Sequence, residues 1–87
     1  MNRSNAKEKA KIFRALGHPA RLAIVQGLLK DACNVKGMVE CLGIPQATVS
    51  QHLNVLKAAG IIEGERKGVE ICYRVVNPIA ARILKAL

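Results

Sequence analysis

The sequence has very few aromatic residues. Phe13 and Tyr73 are the only two, and tryptophan is absent, although 51% of the residues are hydrophobic. The core must therefore consist of leucine, isoleucine, valine and alanine, which favours helices. An 87-residue chain makes one domain with a small core. We therefore expect some apolar surface to remain for a partner.

Long apolar runs are also missing. No run approaches the ~20 residues that a membrane-spanning helix needs. The segment 1–11 is polar and basic, unlike the apolar core of a secretory signal, so the sequence predicts a cytoplasmic protein without a membrane partner.

Acidic residues are scarce. The chain has six of them and fourteen basic residues, which gives a formal charge of +8. A small domain this basic usually binds a polyanion, and nucleic acid is the favoured one.

The cysteines do not form a recognisable framework. Cys33, Cys41 and Cys72 are odd in number, and their spacing matches no zinc-binding knuckle. Small buried or surface thiols are the first interpretation. A redox pair of Cys33 and Cys41 is the alternative, but on one helix they would lie ~10 Å apart, too far for a disulfide within one chain. Cys72 is expected on the more exposed face of a strand.

Helical periodicity dominates the first sixty residues. The pattern predicts helices over 5–16, 19–29 and 35–42, and a fourth that begins at residue 45 or 46 and ends near 59. Ile12, Phe13 and Leu16 are expected on the apolar side of the first helix. His18 is expected as a cap or turn residue before the second helix, and Asn34 as the cap of the third. Gly43 separates the last two helices, and two short helices with such a turn predict a helix-turn-helix over 35–59.

The period changes after Gly60. Apolar residues alternate with polar ones from Val69 to Val76, which predicts a strand, and Lys67-Gly68 fits the tip of a β-hairpin over 61–76. Asn77-Pro78 then starts a last helix to residue 87. The predicted fold is mainly α with a small β-hairpin, a winged helix-turn-helix in the order α-α-α-α-β-β-α, and the whole chain 1–87 forms one domain.

The fourth helix carries an unusual outward stripe. Ala47, Gln51, Asn54 and Ala58 are small or uncharged, whereas a solvated face usually carries lysine and glutamate. Such side chains suit base edges in a major groove, and a helix N-terminus suits a phosphate. The alternative for the fourth helix is a surface helix with little charge. The alternative for the basic hairpin tip is an ordinary solvated turn. The predicted DNA contacts are Gln46, Ala47, Thr48, Ser50, Gln51, His52, Asn54, Arg66 and Lys67.

Three motifs, in this order, resemble the ArsR/SmtB family of bacterial winged-helix repressors. They are the segments 16–25 (LGHPARLAIV), 46–62 (QATVSQHL followed by LKAAGII) and 67–74 (KGVEICYR). The resemblance implies a homodimer that represses transcription from a pseudo-palindromic operator. It also implies that the terminal helices, about 5–16 and 78–87, form the dimer interface. Pro45 departs from the serine or threonine often found at the recognition-helix cap.

The usual sensor sites of that family have no counterpart in this sequence. Asn34 and Lys36 stand where a Cys-X-Cys metal site would begin, and 78–87 contains no aspartate, histidine or glutamate. His52 is interpreted as a structural or phosphate-contacting histidine rather than a metal ligand. We therefore expect no metal, no cofactor and no enzyme activity. A winged-helix protein-interaction module and a thiol-responsive repressor remain alternatives.

Overall fold

The computed structural model describes residues 3–31 and 35–87, and within them it confirms the predicted order of elements. Asn34 and Cys33 therefore lie outside the described residues. The helix ends differ from the predicted ones by up to two residues, which is the usual uncertainty where helix ends fray. The elements are α1 (Arg3–Leu16), α2 (Pro19–Lys30), α3 (Val35–Leu42), α4 (Gln46–Ala58), β1 (Ile62–Lys67), β2 (Glu70–Val75) and α5 (Pro78–Ala86).

Two helices begin with a side-chain cap followed by proline. His18 caps α2, because its Nδ1 accepts a hydrogen bond of 3.0 Å from the Ala20 N–H, which confirms the predicted cap. Asn77 caps α5 through Oδ1, which accepts from the N–H groups of Ile79 and Ala80 at 2.9 and 3.1 Å. Each cap satisfies backbone donors that a helix start leaves without an internal partner.

Gly43 makes the turn between α3 and α4. Its φ of 65° lies in the left-handed region, and its N–H donates to the Val39 carbonyl at 3.1 Å. Side chains with a Cβ adopt this conformation only at a cost. Glycine therefore lets α3 end and α4 start within a few residues, which sets the short turn of the helix-turn-helix.

The hairpin is antiparallel, with Ile62 opposite Val75 at its base and Lys67 opposite Glu70 at its tip. The base is fixed to the core, since the Ile61 carbonyl accepts from the Val76 N–H at 2.9 Å and Ile61 itself is fully buried. The tip extends beyond the core and is exposed. Val69 lies in the turn, so β2 starts one residue later than the predicted strand.

The core is aliphatic, as the composition predicts. The buried stripe of α4 is Val49, Leu53 and Leu56, and it packs against α1, α2 and the hairpin base. Burying an aliphatic side chain of this size contributes about 1.5–3 kcal/mol. Burial of this stripe holds the opposite stripe of α4 towards solvent. The buried residues are Ile12, Ala15, Leu16, Ile24, Val25, Leu28, Val49, Leu53, Leu56, Ile61, Ile62, Ala80 and Leu84.

Two expectations about burial are wrong. Phe13 is 57% exposed, because Ile12, Ala15 and Leu16 take the inward positions at helical spacing and leave Phe13 about 100° around the helix. Cys72 is half-buried rather than on the exposed face, whereas Ile71 is 45% exposed. Strand alternation alone does not identify the covered face when most of the hairpin extends past the core.

Candidate nucleic-acid interface

The outward stripe of α4 is exposed, as predicted. Gln46, Ala47, Ser50, Gln51 and Asn54 are all exposed. The first turn contains no acidic side chain. Thr48 is half-buried at the edge of the stripe, so its hydroxyl is less accessible than that of Ser50. The helix thus presents amide and hydroxyl groups that both donate and accept hydrogen bonds, without negative charge.

The start of α4 lacks a side-chain cap. Pro45 occupies the cap position and provides no side-chain hydrogen bond, although its carbonyl accepts from Thr48 and Val49 at 3.0 and 3.1 Å. The N–H groups of Gln46 and Ala47 precede those two and have no acceptor within the helix. They and the positive end of the helix dipole are suited to an anionic group such as a phosphate.

Arg21 connects α4 to α1 and α2. Its Nε donates to the Ala15 carbonyl at the end of α1, and its Nη1 lies 3.3 Å from His52 Nδ1 on α4. Arginine has no acceptor, so Nδ1 of His52 accepts and the imidazole is neutral with its hydrogen on Nε2. The His18 ring lies beside it, with 4.5 Å between centroids. The hydrogen bonds of Arg21 thus link α4 to the first two helices beside the packed core.

The environment of His52 favours its neutral form. Burial lowers the pKa of His52 below its ordinary value of 6.5, and electrostatic interaction with His18 and with the Arg21 guanidinium lowers the pKa further. The half-buried ring keeps Nε2–H as its remaining donor. A DNA contact from His52 stays a prediction. Sequence reasoning missed Arg21, although it stands three residues after His18 in the first of the three motifs.

The wing places its two cations beside the turn. Arg66 and Lys67 end β1, are exposed, and stand opposite Ile71 and Glu70. Nearer the hairpin base, the Tyr73 ring packs directly over the backbone of Gly64 on β1. A Cβ at Gly64 would lie 2.9 Å from Cε1 of Tyr73, so the ring would have to shift to accommodate it.

A cleft separates the helix-turn-helix from the wing. We call it the wing cleft; its volume is about 620 Å³, with Gln46 and Ser50 of α4 on one side and Val69 to Ile71 of the wing on the other. The predicted contacts at the start of α4 and at the wing tip therefore flank one opening. The structure brings these two groups together on one side of the molecule.

The described cysteines do not form the alternative redox pair, and one of them is not a free thiol. Cys41 is free and exposed, whereas Cys72 on β2 is disulfide-bonded. A Cys33–Cys41 disulfide is thereby excluded from this structure, and Cys33 itself lies outside the described residues.

The part of the chain that the structure describes contains no group of three or more His, Cys, Asp or Glu side chains arranged to hold a metal ion. Within 3–31 and 35–87, no helix is both long and apolar enough to span a bilayer.

Comparisons with known proteins agree with this geometry. A family model described as a helix-turn-helix domain matches residues 16–65. The transcriptional repressor SmtB of Mycobacterium tuberculosis is 45% identical over 73 residues, which are 84% of this chain and 54% of that protein. The chain thus spans about half the length of this relative. The transcriptional repressor PagR of Bacillus anthracis is 38% identical over 82 residues, covering 93% of this chain and 82% of PagR.

Solved structures show the same fold. The crystal structure of PagR superposes with a TM-score of 0.86 at 35% identity and covers 98% of both chains. The solution structure of the homodimeric winged helix-turn-helix DNA-binding domain of Mb0332 from Mycobacterium bovis superposes with a TM-score of 0.81 at 27% identity. It covers 99% of this chain and 82% of that one.

Proposed function

Because the chain belongs to the ArsR/SmtB family of winged helix-turn-helix regulators, we propose that it is a dimeric, sequence-specific DNA-binding repressor. The observation that carries the proposal is the exposed, uncharged stripe of α4 beside an uncapped helix start. Relatives named as transcriptional repressors support the same function. A protein of this function acts on chromosomal DNA in the cytoplasm, and it requires no catalysis.

In the proposed complex α4 lies in the major groove. Gln51 and Asn54 are exposed near the middle of the helix and read base edges, where a good bidentate contact is worth about 1–3 kcal/mol of discrimination. The start of the helix binds a backbone phosphate through the N–H groups of Gln46 and Ala47, with Thr48 and Ser50 adding hydroxyl donors. His52 adds Nε2–H at the edge of this contact.

The wing supplies affinity rather than sequence choice. Arg66 and Lys67 are exposed at the tip of the hairpin and contact a neighbouring phosphate backbone or minor groove. Each phosphate that a cation neutralises contributes about 0.9 to the slope of log affinity against log salt concentration.

The terminal helices form the proposed dimer interface. Phe13 on α1 is 57% exposed. Ile79 on α5 is 36% exposed, and Leu87, which follows the end of α5, is 79% exposed. Apolar surface is therefore exposed near both ends of the chain. A second copy of the chain would cover it. Two-fold symmetry then places the two α4 helices about one DNA turn, ~34 Å, apart, which requires a pseudo-palindromic operator.

Fluorescence anisotropy with DNA from the chain's own promoter, over a salt series, tests the proposal. We expect specific binding with a steep salt slope. Gln51→Ala should lower the preference for the operator over single-base variants by about 5- to 150-fold per contacted base. Lys67→Ala should weaken binding to all sequences alike and reduce the salt slope by about 1. Lys30→Ala is the control for loss of a charge elsewhere, because Lys30 is exposed in the last turn of α2, outside the proposed DNA contacts and the terminal helices.

Weak binding without sequence preference would contradict the proposal and favour the protein-interaction module. Equal losses for Gln51→Ala and Lys67→Ala on every operator variant would show that the division between base reading and backbone contact is wrong.

A thiol-responsive repressor is the second candidate, and the disulfide at Cys72 favours it. Cys41 is free and is therefore not the partner of Cys72 in this bond. Forming the disulfide takes two electrons and two protons from two thiols, which an oxidant such as diamide accepts. We expect DNA affinity to differ at least fivefold between diamide-treated and dithiothreitol-treated protein. Cys72→Ser should remove this difference, and Cys41→Ser should keep it. Equal affinities of the two forms would exclude thiol response.

A further inference from the structure

The wing cleft has the size and lining of a small-molecule site. Its volume of about 620 Å³ falls within the range of ~300–1,000 Å³ typical of ligand pockets. Helices α3 and α4 contribute Val39, Val49 and Leu53, and the wing contributes Ile71 and Tyr73. These side chains make an apolar floor between a rigid helical unit and the hairpin.

The wing side of the cleft exposes aliphatic surface without cover. Val69 is 97% exposed and Ile71 is 45% exposed. Both line the cleft, and such side chains gain free energy when a ligand removes them from water. The apolar part of a ligand therefore has a surface to bind.

The charged side chains that line the cleft are both acidic, whereas the cations Arg66 and Lys67 stand beside its opening. Glu40 of α3 and Glu70 of β2 both line it and are exposed, although the chain has only six acidic residues and a formal charge of +8. Among the side chains that the structure describes, none forms an ion pair with either carboxylate, and this includes Lys67, which stands opposite Glu70. Two carboxylates beside an apolar floor repel anions and complement a cation with an apolar body.

We infer that the wing cleft binds a small organic cation, an amine with an aromatic or aliphatic body. The ammonium group sits between Glu40 and Glu70, and the apolar body covers Val69 and Ile71. If the proposed DNA-binding function is correct, both carboxylates lie close to phosphates and repel them. A bound ammonium offsets that charge, so the cation strengthens DNA binding. Reciprocity requires DNA to strengthen cation binding by the same factor.

NMR titration of the full ¹⁵N-labelled chain without DNA tests the site. The probe is phenethylammonium chloride, and 2-phenylethanol and phenylacetate share its apolar body. We expect the amine to shift amide signals of 69–73 and 46–50, and the alcohol and the acid to bind at least tenfold more weakly. Glu40→Gln and Glu70→Gln should each weaken amine binding at least fivefold. Glu65→Gln on β1, which does not line the cleft, is the matched control and should leave binding unchanged.

Equal binding of the amine and the alcohol would overturn the inference, as would shifts that lie elsewhere or a Glu65→Gln loss as large as that of Glu70→Gln. The titration needs no operator, so failure of the proposed DNA binding leaves it readable.

The coupling is tested separately by anisotropy at constant ionic strength. The amine should raise the DNA affinity of the unmodified chain at least twofold, with no effect on the Glu40→Gln/Glu70→Gln double variant. An equal response of both proteins would overturn the coupling.

Discussion

Replacing Arg21 by methionine removes the contact that joins α4 to the first two helices. The Ala15 carbonyl belongs to the last turn of α1, and its helical partner four residues on would be Pro19, which has no N–H. The guanidinium of Arg21 supplies the missing donor and also donates to His52. Methionine keeps an apolar side chain of similar length but donates to neither acceptor.

The expected cost follows from these two bonds. A hydrogen bond to a charged group contributes about 1.5–3 kcal/mol, and a weaker one of 3.3 Å contributes at the low end of about 0.5–1.5 kcal/mol. Arg21→Met should therefore lower the free energy of unfolding by about 2–4 kcal/mol. A chain of 87 residues has about 4–13 kcal/mol in total. At about 4–8 °C per kcal/mol, Tm should fall by on the order of 10–30 °C.

Urea denaturation at pH 7.5, followed by circular dichroism, measures this loss. Arg14→Met is the matched control, because Arg14 is exposed on α1 and should change stability by no more than about 0.5 kcal/mol. Arg21→Lys, which keeps the charge but cannot span both acceptors as a planar fork, should fall between the two. A stability of Arg21→Met within about 0.5 kcal/mol of the unmodified chain would refute this account of the contact.

Two further outcomes are expected. The folded-state pKa of His52 is lowered, so the unfolded chain binds more protons than the folded one between that pKa and about 6.5. The free energy of unfolding should therefore be unaffected by His52 above pH 6.5 and should fall on acidification through this window. Urea midpoints from pH 7.5 to 5 should show this decline, and His52→Gln should reduce it; a midpoint that rises on acidification would contradict the assignment. Asn77→Ala should cost about 0.5–2 kcal/mol because two N–H groups of α5 lose their acceptor, whereas Asn77→Asp should retain most of the stability in a thermal melt.

Local signals predicted the helices well. Gly43 and the apolar spacing of 35–42 gave the bounds of α3 to the residue, and the stripe of Val49, Leu53 and Leu56 gave the orientation of α4. These features depend on residues a few positions apart, where periodicity and turn chemistry act directly. The exposure of Gln51 and Asn54 followed, because the opposite side of the same helix is buried.

Contacts between distant segments could not be predicted in this way. Arg21 and His52 are 31 residues apart, and their contact depends on how α2 and α4 pack. The same applies to the wing, where the alternation from Val69 to Val75 is real but the hairpin extends past the core, so Ile71 is exposed and Cys72 is half-buried. Cys41 is free and Cys72 is disulfide-bonded. Spacing along the chain carried no information about which thiol has a partner.

The bare start of α4 has a consequence for how binding can be observed. The amide hydrogens of Gln46 and Ala47 have no side-chain cap to protect them, so they should exchange with solvent faster than those of Leu53 or Leu56 farther along the helix. A phosphate bound there would take the place of the absent cap and slow both. Hydrogen exchange at these two positions would then report occupancy of the site directly, residue by residue, without a label on either molecule.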